Sequence, residues 1–279
     1  MSTIKKAKLA IYYGWPSGVN GAFSVAGAIA VFKAYELLVL GSGLEEPSHG
    51  DHVNTVQIIA GLPKVQVFGY VASTSDLALL KEKIDKWVTM GVSGIFCDVF
   101  GYDFGLTRQK QNEIVDYIHL KGLSAFVNVW NPDDAFSPSG PETTHLGLGD
   151  WVLAESYQII NDNYQSTEDW LARSRKLVGY RKATGTKIAA VTTTDSGIFD
   201  VDKFDYAYFS SLLFNFDAFG WGEKNFSALS GELPFHKRKH FYGTQFTGPI
   251  TDSDGILSAP TNVGISVNTV TRTVDYVLP

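Results

Sequence analysis

Asp98 ends an apolar run, Gly94-Ile-Phe-Cys-Asp98, just before a glycine turn, and Asp103 follows five residues later. Glu155 ends a second run, Asp150-Trp-Val-Leu-Ala-Glu155. A carboxylate at the end of an apolar strand costs free energy unless it is paired or used. Two carboxylates in unlike surroundings can divide the work of glycoside hydrolysis. One, kept protonated, gives its proton to the leaving oxygen; the other, ionised, attacks or stabilises the oxocarbenium-like centre. Glu155 follows three apolar residues, so a raised pKa and the acid/base role are expected of it. Asp98, beside a turn carrying Tyr102 and Asp103, is the more polar and takes the part of nucleophile or charge stabiliser. The competing reading of Asp98 is a cap for loop amides, and Asp103 either joins the chemistry or caps the Gly105-Leu106-Thr107 turn.

Around these acids the sequence sets Trp15, Tyr70, Tyr102, Asn128, Trp130, Trp221 and Glu223 at or near other strand ends. Flat rings with a polar edge suit sugar faces, and they suit ordinary cores as well. Asn128 and Asn131 can bond sugar hydroxyls, although an Asn before proline also forms turns. Asp133-Asp134 most simply starts the next loop. Glu45, Asp195 and Glu223 are further acids at the same level, with structural roles as the competing reading. No histidine falls among these strand ends, so a metal trio or a His-based triad is hard to build. His49-x-x-His52 is a coincidental spacing, and no metal or cofactor is expected.

Eight short apolar runs must position these side chains: Leu9–Tyr13, Glu36–Leu40, Lys64–Val71, Val92–Cys97, Leu123–Val129, Asp150–Ala154, Lys187–Val191 and Phe216–Phe219. Helical periodicity appears between many of them. His52 to Leu62 spaces Val53, Val56, Ile59 and Ala60 helically. Asp76 to Met90 puts Leu77, Leu80, Ile84, Trp87 and Val88 on one face. A helix is expected from Thr107 as N-cap through Lys121, another over Thr167–Thr184, and a helical stretch from about Phe204 to Leu213. Gly91, Gly122 and Gly185 follow three of these helices, where glycine closes the last turn. Residues 16–35 form the least regular crossover. Strands separated by helices of fitting length predict an α/β fold, a parallel (β/α)8 TIM barrel with active-site residues at the C-terminal strand ends. An open doubly wound sheet is the competitor, weakened because no Gly-x-Gly-x-x-Gly follows the first strand. The barrel is expected over residues 1–231. A β-rich C-terminal extension, 232–279, either packs on the barrel or joins a further module. The basic cluster His236–His240 reads as a solvated turn.

A chain of 279 residues with net charge −6 and no basic stripe is not built to follow phosphates, so nucleic acid is excluded as a partner. No run approaches the roughly 18 apolar residues of a membrane span. The single cysteine, Cys97, leaves no intrachain disulfide and sits within a strand as a small core residue.

The elements Val67-Phe-Gly-Tyr-Val, Ile84-Asp-Lys-Trp, Gly91-Val-Ser-Gly-Ile-Phe-Cys-Asp98, Asn128 and Asp150-Trp-Val-Leu-Ala-Glu155 resemble the spherulin-4-like proteins. More distantly they resemble the endo-α-1,4-polygalactosaminidase-like barrels, glycoside hydrolase families 135 and 114. The match covers roughly residues 9–160. The resemblance implies a barrel that cleaves or binds amino-sugar polysaccharides such as galactosaminogalactan, which favours an extracellular, cell-surface or virion setting. One departure stands out: the family pattern follows its strand-end Asp with Glu, where this chain has Val99. Either Asp103 substitutes, or Asp98 and Glu155 suffice, or the barrel keeps binding without catalysis. The two readings carried forward are therefore a glycosidase using Asp98 and Glu155, and a catalytically silent carbohydrate-binding or structural module of a cell-surface or viral tail assembly.

Overall fold

The computed structural model describes residues 6–194, 196, 198–222, 231–233, 236, 245–261 and 264–276. The eight expected runs form eight parallel strands: β1 (Ala7–Tyr12), β2 (Leu37–Leu40), β3 (Gln66–Ala72), β4 (Gly94–Asp98), β5 (Ser124–Asn128), β6 (Trp151–Ala154), β7 (Lys187–Thr193) and β8 (Ala218–Gly222). They close into a barrel in sequential order, with β8 pairing back on β1. The competing open sheet is thereby excluded.

Strand parity sorts the side chains into two cores. Leu9, Ile11, Phe68, Phe96, Phe126, Trp151, Leu153 and Val191 fill the barrel interior. Phe126 sits edge-on to Phe68 and to Phe96, with ring centroids 5.2 Å apart in both pairs. Residues of the opposite parity meet the surrounding helices. Gly69 is where that outer packing demands a glycine: a Cβ there would lie 2.1 Å from the Trp87 ring. The absent side chain lets the indole lie against β3, and its Nε1 donates to the Tyr70 carbonyl at 3.1 Å.

The helices are α1 (Val25–Phe32), α2 (His52–Ala60), α3 (Leu77–Thr89), α4 (Arg108–Leu120), the short α5 (Pro132–Phe136), α6 (Thr167–Thr184) and α7 (Val201–Leu213). Their starts are written in capping residues, each worth about 1 kcal/mol. Asp76 accepts from the Ala78 amide at 2.9 Å, Thr107 from Lys110 at 3.2 Å and Ser166 from Asp169 at 3.1 Å. The irregular first crossover consists of a 3-10 turn, Pro16–Gly21, and α1, capped by Ser24. On α2 the buried face is Thr55, Ile58 and Ile59, while Val53 is exposed. Thr55 can turn inward because its hydroxyl donates to the Asp51 carbonyl at 2.7 Å.

β8 begins two residues later than expected and runs through Gly220 and Gly222. Gly220 is a strand residue rather than a stop: a Cβ there would lie 2.6 Å from the Leu9 carbonyl oxygen of β1. Beyond it, β9 (Thr251–Ser253), β10 (Ile256–Ala259), β11 (Ile265–Asn268) and β12 (Thr273–Tyr276) form an antiparallel sheet. This sheet packs on α7, and Leu257, Ala259, Ile265 and Val267 join the outer core. Residues 237–240 of the basic cluster lie outside the described residues; His236 stacks on Phe199.

Candidate active site

The parity that stacks phenylalanines inside the barrel also delivers the polar residues at its mouth. Two positions beyond Ile11, Phe68, Phe96, Phe126 and Leu153 stand Tyr13, Tyr70, Asp98, Asn128 and Glu155. Each therefore points to the same side of its strand as the interior residue below it. Asp98 and Glu155 come together in a basin of about 380 Å³ lined also by Val99, Asp103, Phe104, Asn128 and Trp130.

Asn128 joins the two acids. Its Nδ2 donates to Asp98 Oδ1 at 2.9 Å and to Glu155 Oε2 at 2.7 Å. Asp98 receives two further donors, the Tyr70 hydroxyl on Oδ2 at 2.8 Å and the Val99 amide on Oδ1 at 2.9 Å. An ionised carboxylate only accepts, so three donors hold this one in a single orientation. Burial raises the Glu155 pKa above its ordinary 4.5; the nearby Asp98 charge pushes the same way, while the Asn128 hydrogen bond and the Arg173 charge oppose. Arg173 lies beneath, its Nη1 donating to the Glu155 carbonyl at 2.8 Å and its guanidinium 4.8 Å from the Trp130 ring centre.

The residue after each acid is turned left-handed, Val99 at φ 49° and Ser156 at φ 51°. For β-branched Val99 this is a strained conformation, costing of order 1–3 kcal/mol. The reversal ends each strand at its carboxylate. Val99 lines the basin, and exposed Asp103 lines it as well.

Other expected residues stand elsewhere. Trp221 shares the parity of Phe219 and so points outward; it is 8% exposed, packed against Phe199 and Phe204, and is no platform at the mouth. Tyr102 turns from the basin to lie 5.6 Å from Arg108. That arginine is buried and staples the turn to α5, donating to the carbonyls of Ala135, Asp134 and Ser137. Trp15 is exposed at the end of β1 but stands against His49 and Gly50, outside the basin lining. Asn131 caps α5, accepting from the Asp133 amide at 3.2 Å. Glu45 is fully buried and paired with Lys83 at 2.5 Å. Glu223 and Asp195 lie outside the described residues.

Sequence reasoning missed Tyr13, Phe104 and Arg173. Tyr13 packs edge-on to Tyr70 at 5.7 Å; burial raises its pKa, and the charges of Asp98 and Glu155 add to that rise. Its signal was available, because Tyr13 continues the inward parity of Leu9 and Ile11. Arg173 left no signal on its helix. Among the described residues no group of three His, Cys, Asp or Glu side chains is placed to hold a metal ion. No helix among them is long and apolar enough to cross a membrane.

The sequence matches no protein-family model, and no curated protein matches it. Solved structures are similar in fold. The carboxyl transferase domain of Rhizobium etli pyruvate carboxylase with pyruvate and biocytin aligns at TM-score 0.52 and 10% identity, over 78% of this chain and 40% of that one. The same domain with 3-bromopyruvate aligns at 0.51 and 10%, over 77% and 39%. Citrate synthase SbnG aligns at 0.47 and 13%, over 79% and 87%. This chain spans about two fifths of the length of the pyruvate carboxylase chains. At these identities the likeness is one of fold alone, a TIM barrel, and the chemistry has to come from the site itself.

Proposed function

We propose that the barrel is a glycoside hydrolase in which Glu155 is the acid/base and Asp98 the nucleophile. The observation that carries this reading is the shared Asn128 amide. Two oxygens bonded to one nitrogen at 2.9 and 2.7 Å lie no more than about 5.6 Å apart, so the facing oxygens of the two carboxyl groups are close together, which supports a retaining pair, whose carboxyl groups stand about 5–5.5 Å apart.

Asp98 would attack the anomeric carbon as protonated Glu155 gives its proton to the leaving oxygen, breaking the glycosidic bond and forming a glycosyl ester on Asp98. Glu155, now a base, would take a proton from water as that water attacks the ester, releasing sugar and restoring both groups. The raised pKa of Glu155 supports the first step. Tyr70 and the Val99 amide hold Asp98 in line for attack.

An amino-sugar polysaccharide such as galactosaminogalactan is the substrate class we infer. The resemblance to spherulin-4-like and polygalactosaminidase-like barrels suggests it. The lining adds a physical reason: Asp98, Asp103 and Glu155 face the basin and, among the described residues, no cationic side chain lines it, so a sugar carrying a free ammonium group is drawn in.

Reducing-end release from deacetylated and acetylated galactosamine polymers tests the proposal. Native protein is expected to cleave, and Asp98→Asn and Glu155→Gln to slow cleavage by roughly 10²–10⁴-fold. Undiminished cleavage in both variants removes the assignment. Val99 in place of Glu favours the second reading, a glycan-binding barrel of a cell-surface or viral assembly, and binding by native protein without cleavage would select it.

A further inference from the structure

Behind Trp130 lies a second cavity, of about 570 Å³. Trp130 lines both spaces and is half exposed, so a single indole forms the sill between them. One face of its ring is held by Arg173. The second cavity is walled by Asn131, Tyr164, Gln165, Arg173 and Lys176. Two of these are unusual. Gln165 and Arg173 are each 8% exposed, and Gln165 Oε1 and Arg173 Nε have no hydrogen-bond partner among the described residues. Buried polar atoms are ordinarily paired. Both atoms are shut off from solvent, and Arg173 is held in place by the Glu155 and Val129 carbonyls, but the soft terminal torsion of Gln165 lets its unpaired amide oxygen turn to meet a ligand hydroxyl.

The charge differs from that of the basin. Lys176 is paired with Asp133 at 2.6 Å, and the lining holds the Asp169 carboxylate as well as the Arg173 guanidinium, so the charges balance and no net negative charge draws a free ammonium in. A neutral unit, such as an N-acetylated or unsubstituted hexose, fits both the hydrogen-bonding groups and the aromatic edges of Trp130 and Tyr164.

We infer that this cavity is a glycan subsite holding a neutral neighbouring unit of the same chain whose bond lies between Asp98 and Glu155, so that cleavage occurs within partly acetylated chains. The inference rests on the glycosidase reading and adds to it the length and acetylation pattern of the substrate.

The test uses Glu155→Gln protein, in which turnover is slowed, titrated calorimetrically with galactosamine oligomers of increasing length, fully deacetylated or partly acetylated. Affinity is expected to rise about tenfold at the length that first fills the second cavity, and more for partly acetylated oligomers; that factor corresponds to about 1.4 kcal/mol. Adding Gln165→Ala or, separately, Tyr164→Ala is expected to abolish the rise and leave the shortest oligomer's affinity unchanged, which also shows that the variants are folded. A flat length dependence, or a rise that both variants keep, overturns the subsite while leaving the glycosidase reading standing if native protein still cleaves. Absence of binding by every oligomer, together with absence of cleavage by native protein, overturns both.

Discussion

Asp98 and Glu155, 57 positions apart in sequence, accept hydrogen bonds from one and the same nitrogen, Asn128 Nδ2. The amide lies between the two carboxyl groups and opposes the burial that raises the Glu155 pKa. Asn128→Ala therefore lets the Glu155 pKa climb further. The alkaline limb of the kcat/KM profile is expected to move to higher pH, and the maximal rate to fall by roughly 10²-fold, the loss typical of a positioned donor in an active site. A pH profile of native and variant protein on the same polymer checks both; an unmoved alkaline limb would sink the coupling.

Glu155 also sets a pH dependence of stability. Its folded pKa is raised, so the fold favours the protonated carboxyl; the favourable contribution is complete below the ordinary value of 4.5 and is lost as pH rises through the folded value. Glu155→Gln removes that loss. The variant is expected to melt with native protein at acidic pH and at a higher temperature near neutrality, the gap opening upward from about pH 4.5. Thermal melts across pH 4 to 8 check it, and a gap that instead opens toward acid would show the carboxylate to be stabilised in the fold.

The barrel was legible because each strand is a short apolar run and most helices carry a cap and a period, as Asp76, Thr107 and Ser166 show. That Asp98 and Glu155 share one mouth was legible because each ends an apolar run that forms a strand of the same parallel barrel. Trp221 was misplaced because strand-end position was weighed without parity, although Phe219 two residues earlier marks its outward direction. Tyr102 and Arg173 depend on how a loop and a helix pack against other elements, and neither one's partner is adjacent in sequence. The strain at Val99 was hidden for a different reason: nothing local requires a β-branched residue to turn left-handed, and the surrounding barrel imposes it.

Val99 gives a third test. Glycine at this position removes a left-handed strain of order 1–3 kcal/mol and costs about 0.5–1 kcal/mol in added backbone freedom of the unfolded chain. Val99→Gly is expected to raise the unfolding free energy by about 1 kcal/mol. Denaturant unfolding at constant slope measures it. Destabilisation would mean that the valine side chain contributes more by lining the basin than its backbone conformation costs.

The same substitution at two glycines is expected to act with opposite sign. At Gly69 a Cβ would lie 2.1 Å from the Trp87 ring, so Gly69→Ala must drive the indole off β3 and disturb its hydrogen bond to the Tyr70 carbonyl. Overpacking of this kind costs about 3 kcal/mol. In a protein of this size that lowers the melting temperature by roughly 6–12 °C. Because Tyr70 holds Asp98 through its hydroxyl, activity is expected to fall together with stability. At Gly179, inside α6, a Cβ meets nothing within 4 Å. Gly179→Ala gains helix propensity, up to about 1 kcal/mol, and leaves the site untouched. Paired melts and rates of the two variants separate packing at the barrel wall from any general effect of removing a glycine; equal effects at both positions would refute the close contact between Trp87 and β3.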